Sequence, residues 1–506
     1  MGAHGDRDWP HGLRTGVRRS GAPATSGAML FALMMAGCKD TVVTTIPGED
    51  AAISLHLINP TVCETCDPFL GVDTIQLDVV QDGELVASER FAWPDADLSL
   101  PDLDGFGVVT IQMRGERAGE VISFGQTPEI AVGPGSAIET TLQFLPANRA
   151  LPLAESMVQS RRRHMSVSTR AGRALLMGGF GDGPGAALAS VEAYDPTTGT
   201  FAEAEVSLPL GLADATVNTG LRDGVVLIIG GVASVIDGVD QPSAEAILYW
   251  EEHDTLESIE PMSTARAGHC VSTFLNDRGL VLGGHTGTSL GDFVRWDTGA
   301  SAWVFGDVPF TDLDETRVTG CATLADHRTF VQGASVESTG IWAFTAAGGD
   351  ESPMEAAFLP TPPADAGEGA AFVIGAAIVP LSSGDAWVGG GVDPRTGTLA
   401  SAAREFRADT QRFDPADAQA VPRVWGRIIA LDDVGTVAWG CGWRDTSRSA
   451  AVSSLEVFNV EFGTSIAVVP FVETRSGCEI TRLPDGAILV TGGGSATAEI
   501  VVPFYP

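Results

Sequence analysis

Lysine is almost missing from this chain. Lys39 stands alone against 29 arginines, and the 506 residues carry a formal charge of −35. A surplus of negative charge on that scale excludes nucleic acid as a natural partner, because the phosphate backbone would be repelled. Tyrosine is nearly as scarce, at Tyr194, Tyr249 and Tyr505. No apolar run approaches the ~20 residues that a membrane-spanning helix requires. There is no G-x-S-x-G elbow, no H-E-x-x-H helix and no phosphate-binding loop, so nucleophilic hydrolysis, zinc proteolysis and nucleotide chemistry have no signature here. No metal and no cofactor is called for by any motif.

Glycine, by contrast, is abundant, at 61 residues, and much of it is placed periodically. The stretch Leu483-Pro484-Asp485-Gly486 followed by Ala487-Ile488-Leu489-Val490-Thr491-Gly492-Gly493 is a tight turn feeding an apolar strand that ends in a glycine pair. The same ending occurs at Gly178-Gly179, Gly230-Gly231, Gly283-Gly284 and Gly389-Gly390, and in weaker form at Gly333-Ala334 and Gly440-Cys441. Successive first glycines lie 50 to 56 residues apart. A period near 50 with strand content predicts a radial array of small sheets, each unable to bury its face alone. Other residues share the period. Met157-x-x-x-Arg161-x-x-His164 recurs as Met262-x-x-x-Arg266-x-x-His269, and Arg317-x-x-Gly320 and Arg475-x-x-Cys478 keep part of it. Tyr194 and Phe201, Tyr249 and Leu256, Trp296 and Trp303, and Phe406 and Phe413 are bulky pairs seven apart.

This set resembles the kelch repeat over residues 147–506. The resemblance implies an all-β fold, a seven-bladed kelch-like β-propeller, with its last sheet completed by a strand drawn from about 142–152. Ahead of it, residues 51–146 alternate apolar and polar positions, with Asp82-Gly83 as a hairpin turn between Val79-Val80 and Leu85-Val86. That rhythm predicts a small β-sandwich, similar to immunoglobulin-like or fibronectin-type modules.

The N-terminal residues read as an address. Arg7, Arg14, Arg18 and Arg19 precede the apolar run Ala28–Ala36, and Met35-Ala36-Gly37-Cys38 resembles the lipobox of bacterial lipoproteins. The resemblance implies a signal peptide over 1–37, a lipid on Cys38 and a flexible tether over 38–50. Its sulfur-linked acyl chains would anchor the protein to a membrane, at the bacterial outer membrane or cell surface or on the periplasmic leaflet. Cys63 and Cys66 form a C-x-x-C that, after export, reads as a local disulfide. Cys270 with Cys321 and Cys441 with Cys478 are candidate pairs, with buried free thiols as the alternative.

Candidate chemistry is sparse. His164 and His269 share one repeat position two units apart and read as structural. His285 lies after a glycine pair and could touch a ligand, His327 reads as a turn residue, and Asp312-Leu313-Asp314-Glu315 as a solvated loop rather than a calcium site. Galactose oxidase-like copper enzymes use a kelch propeller with tyrosine and histidine ligands and a tyrosine–cysteine cross-link, which three tyrosines do not readily supply. The expectation is therefore a membrane-anchored lipoprotein, not an enzyme, that binds a protein or glycan on a propeller face. A carbohydrate-active enzyme of epimerase or lyase type is the rival, and a structural cell-envelope component is the third reading. An axis lined by acidic, arginine and aromatic groups would favour the enzyme; a plugged or apolar axis would favour the binder.

Overall fold

A computed structural model describes residues 43–47 and, with short interruptions, 52–505; between 285 and 374 it describes the strands alone. The fold is all-β. Among the described residues no helix is long and apolar enough to cross a membrane.

Residues 43–146 make two facing sheets. One orders Val43–Pro47, Ala52–Ile58 and Ala137–Gln143, the last two running parallel. The other is built on Thr74–Gln81, flanked by Glu84–Ala92 and Gly107–Arg117, and continues through Glu120–Gln126 to Leu145–Pro146. Asp82 and Gly83 both take positive φ, the turn that a two-residue hairpin needs. Alternating apolar side chains from both sheets, Ile53, Leu55, Ile75, Leu77, Ile111 and Met113 among them, close a common core. Within the expected tether over 38–50, Val43–Pro47 pairs with Ala52–Ile58. The β-branched run Val42-Val43-Thr44-Thr45-Ile46 suits an extended, paired strand better than a free linker.

From residue 150 onward small antiparallel sheets follow one another. Four-stranded sheets begin at Met165–Ser168, Thr216–Arg222, Thr316–Thr323, Ala377–Pro380 and Arg427–Ala430, and the antiparallel strand pairs His269–Phe274 with Arg278–Gly283 and Asp292–Asp297 with Ala302–Asp307 stand between the second and third of these. The last sheet holds Cys478–Arg482, Ile488–Gly492 and Glu499–Val501, and Ala150–Pro152 completes it from the other end of the chain. First strands of successive sheets lie side by side, and Cys478–Arg482 returns to Met165–Ser168, closing a circle. Thr481 Oγ1 meets Ser166 Oγ at 2.6 Å across that closure.

The bulky pairs seven apart turn out to be cross-strand partners. Tyr194 faces Phe201, with ring centroids 4.9 Å apart, and Phe406 faces Phe413 at 5.4 Å. A hairpin between the outer two strands puts such residues opposite each other, where aromatic pairs stabilise a sheet. The two halves of the chain share a further core, in which Phe124, Leu145 and Cys66 pack with Leu151, Leu153, Tyr194 and Leu489. Asn148 ties them, donating to the Phe504 carbonyl and accepting from the Phe504 N–H.

Candidate functional site

The repeat arginine is a fully buried hub. Arg161 donates to Glu192 Oε1 from Nε at 3.0 Å and from Nη2 at 2.7 Å, and from Nη1 to the Gly178 and Ser190 carbonyls. Arg475 repeats this with Glu499 and the carbonyls of Gly492 and Thr497. Arg423 binds the carbonyls of Cys441 and Ser454, with Glu456 at 3.5 Å. Each carboxylate also accepts backbone N–H groups just ahead of its arginine, as Glu192 does from Val158 and Gln159. Burying a charge this deeply is tolerated because the partner and its hydrogen bonds come with it. The sequence signal for these glutamates was a carboxylate inside an otherwise buried strand, as in Val191-Glu192-Ala193 and Leu455-Glu456-Val457.

The glycine and the histidine of the repeat meet across neighbouring sheets. A Cβ on Gly492 would lie 2.6 Å from His164 Cε1, and one on Gly230 would lie 2.5 Å from His269 Cε1. In the Arg427–Ala430 sheet the positive-φ pair is Cys441-Gly442, so it is the first glycine that is replaced, not the second. Cys441 and Cys478 occupy the glycine and histidine places, and a disulfide joins them. The turn there keeps the backbone course of Gly178-Gly179.

Two residues beyond Arg161, Arg266, Arg423 and Arg475, and two beyond Leu212 and Val373, which take the arginine's place in their repeats, the backbone turns left-handed. Gly268, Gly375 and Gly477 do so at φ between 67° and 74°, and Arg163, Asp214 and Trp425 do so at 56°, 47° and 53°. The N–H of Arg163 donates to Gly477 O, that of Asp214 to Arg163 O, and that of Trp425 to Gly375 O. These residues therefore form a hydrogen-bonded rim around the end of the axis. A bulky residue in this conformation costs about 1–3 kcal/mol, which is why glycine is the ordinary occupant and why departures from it mark function.

The three departures converge. Arg163 Nε lies 2.6 Å from Asp214 Oδ2, and its Nη2 lies 2.7 Å from Asp240 Oδ2. Asp240 sits on a hairpin of Val232–Ile236 and Val239–Pro242, turned by Asp237-Gly238, that the second sheet inserts beside the rim. Arg427, at the head of an axial strand, places Nε 2.6 Å from Glu479 Oε1 and Nη2 3.9 Å from Asp214 Oδ1. Arg448 places Nη1 3.9 Å from Asp214 Oδ2, and its guanidinium carbon lies 4.9 Å from the Trp425 ring centre and 5.3 Å from that of Trp443. Phe180 underlies Arg163 at 5.2 Å. The axis is thus lined by arginine, carboxylate and tryptophan, the arrangement named above as favouring an enzyme.

Charge is distributed unevenly within the group. Burial pushes the Glu479 carboxyl up to about 7, with Arg427 pulling the other way. The Arg427 guanidinium is held above its ordinary value, chiefly by Glu479. Burial works against the charge on Arg163, but Asp214 and Asp240 outweigh it. Burial lowers Arg448, with Asp214 only partly opposing. His164 is driven down to about 3 by burial and the nearby Arg161 and Arg427, so it stays neutral, Nε2 meeting Thr491 Oγ1 at 2.9 Å.

Of the residues singled out from sequence, Cys38 lies outside the described residues, as do His285, His327 and Asp312 to Glu315. Cys63–Cys66, Cys270–Cys321 and Cys441–Cys478 are joined as disulfides. His164 and His269 are buried between sheets, away from solvent. Sequence reasoning missed every residue of the axial group. Arg163 stood in an unassigned place of the Arg161-x-x-His164 pattern, and the Arg423 repeat, with Trp425 in it, passed unrecognised.

The fold is that of a β-propeller and sandwich class. A solved structure described as a "novel fungal alcohol oxidase with catalytic diversity among the AA5 family, in complex with copper" is similar over 69% of this chain and 75% of its own, with a TM-score of 0.51 and 12% identity. No family model and no curated protein matches the sequence. The finding corrects the expectation of a kelch protein of the bacterial lipoprotein type that is not an enzyme and serves as a binding scaffold, since this similar structure is an oxidase. At that identity the likeness shows the fold alone. Among the described residues no three His, Cys, Asp or Glu side chains cluster to hold a metal. Tyr194 and Tyr249 are sealed between sheets, Tyr505 donates to the Leu431 carbonyl, and the six described cysteines are all in disulfides.

Proposed function

We propose that this chain is a carbohydrate-active propeller enzyme of the epimerase or lyase kind, working by proton transfer at Glu479 in the mouth of a seven-bladed ring. The seven side-by-side first strands support the blade count. The observation that carries the reaction class is the Glu479–Arg427 pair. It is a carboxyl near neutrality, 7% exposed, on the axial end of a first strand, with a guanidinium 2.6 Å away. A group with that pKa can both accept and return a proton at working pH.

In the proposed step a Glu479 carboxylate oxygen takes a proton from a sugar carbon. The electron pair left behind moves onto the adjoining carbonyl or carboxyl oxygen, where arginine N–H groups stabilise it. If the intermediate turns over in the site, Glu479 returns the proton to the opposite face and gives the epimer. If the electron pair instead falls back to form a carbon–carbon double bond, the oxygen substituent on the next carbon leaves with the proton from Glu479 and gives the unsaturated sugar. Trp425 and Trp443 supply the apolar walls that a sugar site uses. Oxidation of an alcohol at copper is not carried over from the similar structure, because the described residues lack the donors. Three disulfides fit action in an oxidising compartment outside the cytoplasm.

The test is turnover of a panel of oligosaccharides, read by NMR for inverted centres and new double bonds. Glu479→Gln should lower kcat by roughly 100-fold or more. A Gln variant as active as the wild type would remove Glu479 as the proton carrier.

A further inference from the structure

We propose that the axial mouth takes a sugar bearing a carboxylate, held by the free edge of Arg448 with the terminal nitrogens of Arg427 as a second fork. This rests on the reading that the mouth is the substrate site. Three guanidiniums surround Asp214, but only two have close partners of their own. Arg163 is held by Asp214 and Asp240, and Arg427 by Glu479 through Nε. Arg448 has neither. Among the described residues its guanidinium makes no hydrogen bond, and its nearest carboxylate oxygen is at 3.9 Å.

Arg448 is nonetheless built into place. Its φ is +59°, and its N–H donates to the Asp445 carbonyl. Asp445 organises the loop, accepting from the Ser447 and Ser449 hydroxyls and from the N–H groups of Ser449 and Ala450. The guanidinium then stacks on Trp425 and Trp443, which are 6.2 Å apart and nearly perpendicular. Stacking fixes the faces of the fork and leaves its N–H edge to be satisfied from elsewhere. At 32% side-chain exposure that edge reaches the mouth, next to Arg427 at 44%.

A planar fork with unspent donors matches a planar carboxylate in two parallel hydrogen bonds, which a hydroxyl cannot reproduce. The position also suits the reaction. A carboxylate held by arginine has its charge offset, so the proton on the carbon beside it is more readily lost to Glu479.

The experiment titrates the full protein with D-galacturonate and D-glucuronate, as monosaccharides and trisaccharides, and with their methyl esters, which keep every ring atom and remove the charge. Binding is read from tryptophan fluorescence at low salt. At least one acid should bind about tenfold or more tighter than its own ester. Arg448→Gln should bring the two to parity with unchanged urea melting, and Arg448→Lys should keep part of the preference. The proposal is overturned if no acid is preferred, if Arg448→Gln keeps the preference, or if inorganic phosphate competes as well as the acid does. Acid preference without turnover by the wild type would leave this site standing and remove the proton-transfer reading. Equal binding of acid and ester, with turnover lost in Glu479→Gln, would do the reverse.

Discussion

Replacing Glu479 with glutamine should make the protein more stable in mild base while making it inactive. In the folded chain the carboxyl titrates at about 7 against an ordinary value of 4.5, and burial is the larger cause. A raised carboxyl pKa means that the native state favours the protonated form. The stability this form contributes is complete below pH 4.5 and is lost as pH rises through 7. Each pH unit of that interval is worth about 1.4 kcal/mol, so the ionised Glu479 should weigh against folding by up to about 3 kcal/mol at pH 8. Glutamine keeps an oxygen for Arg427 Nε and carries no charge to bury. Arg427 loses its partner but is exposed enough for water to solvate it, so little is given back. Urea denaturation at pH 5 and pH 8 measures the difference. Glu479→Gln should be near the wild type at pH 5 and roughly 2–3 kcal/mol more stable at pH 8. A variant that is less stable at pH 8 would show that attraction to Arg427, rather than burial, dominates at this carboxylate, and the proton-carrier argument would fall with it.

Asp485, in the Pro484-Asp485-Gly486 turn, is pushed up to about 6 by burial. Asp485→Asn, which keeps an acceptor for the Ala487 N–H, should therefore raise stability at pH 8 by about 1–3 kcal/mol and do little at pH 4; equal effects at both values would contradict the burial argument. Arg161→Met strands the Glu192 carboxylate and should cost about 3–5 kcal/mol. Arg161→Met/Glu192→Gln, which retains an acceptor for Val158 and Gln159, should be less destabilised than the arginine change alone, and strict additivity in urea melts would sink that account. Cys441→Gly/Cys478→His restores the glycine–histidine contact of the other sheets. It should fold with a loss of no more than about 2–4 kcal/mol for the missing cross-link, and a double variant weaker than Cys478→His would refute the equivalence of the two pairs.

Much of the architecture could be read along the chain because it repeats. Gly178, Gly230 and Gly492 recur at one period because each sits against the next sheet's backbone, at the Leu212, Arg266 and Arg161 carbonyls, and Arg161 and Arg475 recur because each binds the carbonyl of such a glycine. Tyr194–Phe201 and Phe406–Phe413 keep a spacing of seven because a hairpin makes them neighbours. The axial group could not be read this way, since its members are defined by departing from the repeat. Arg163, Asp214 and Trp425 replace glycine at equivalent places, and each looks unremarkable until the repeat is aligned at that one position.

Sequence by itself determined the small sheets, their order and the turns between them, because hydrophobic period and glycine placement act over a few residues. It also determined where the arginines and carboxylates lie along the chain. Only the tertiary structure decided which of them meet. Residues 163, 214, 427, 448 and 479 belong to four different sheets, and ring closure, by pairing Ala150–Pro152 with Glu499–Val501, carries them to one end of one axis. Their charges interact there because the backbone circle holds them within a few ångströms, and nothing local in the chain encodes that distance.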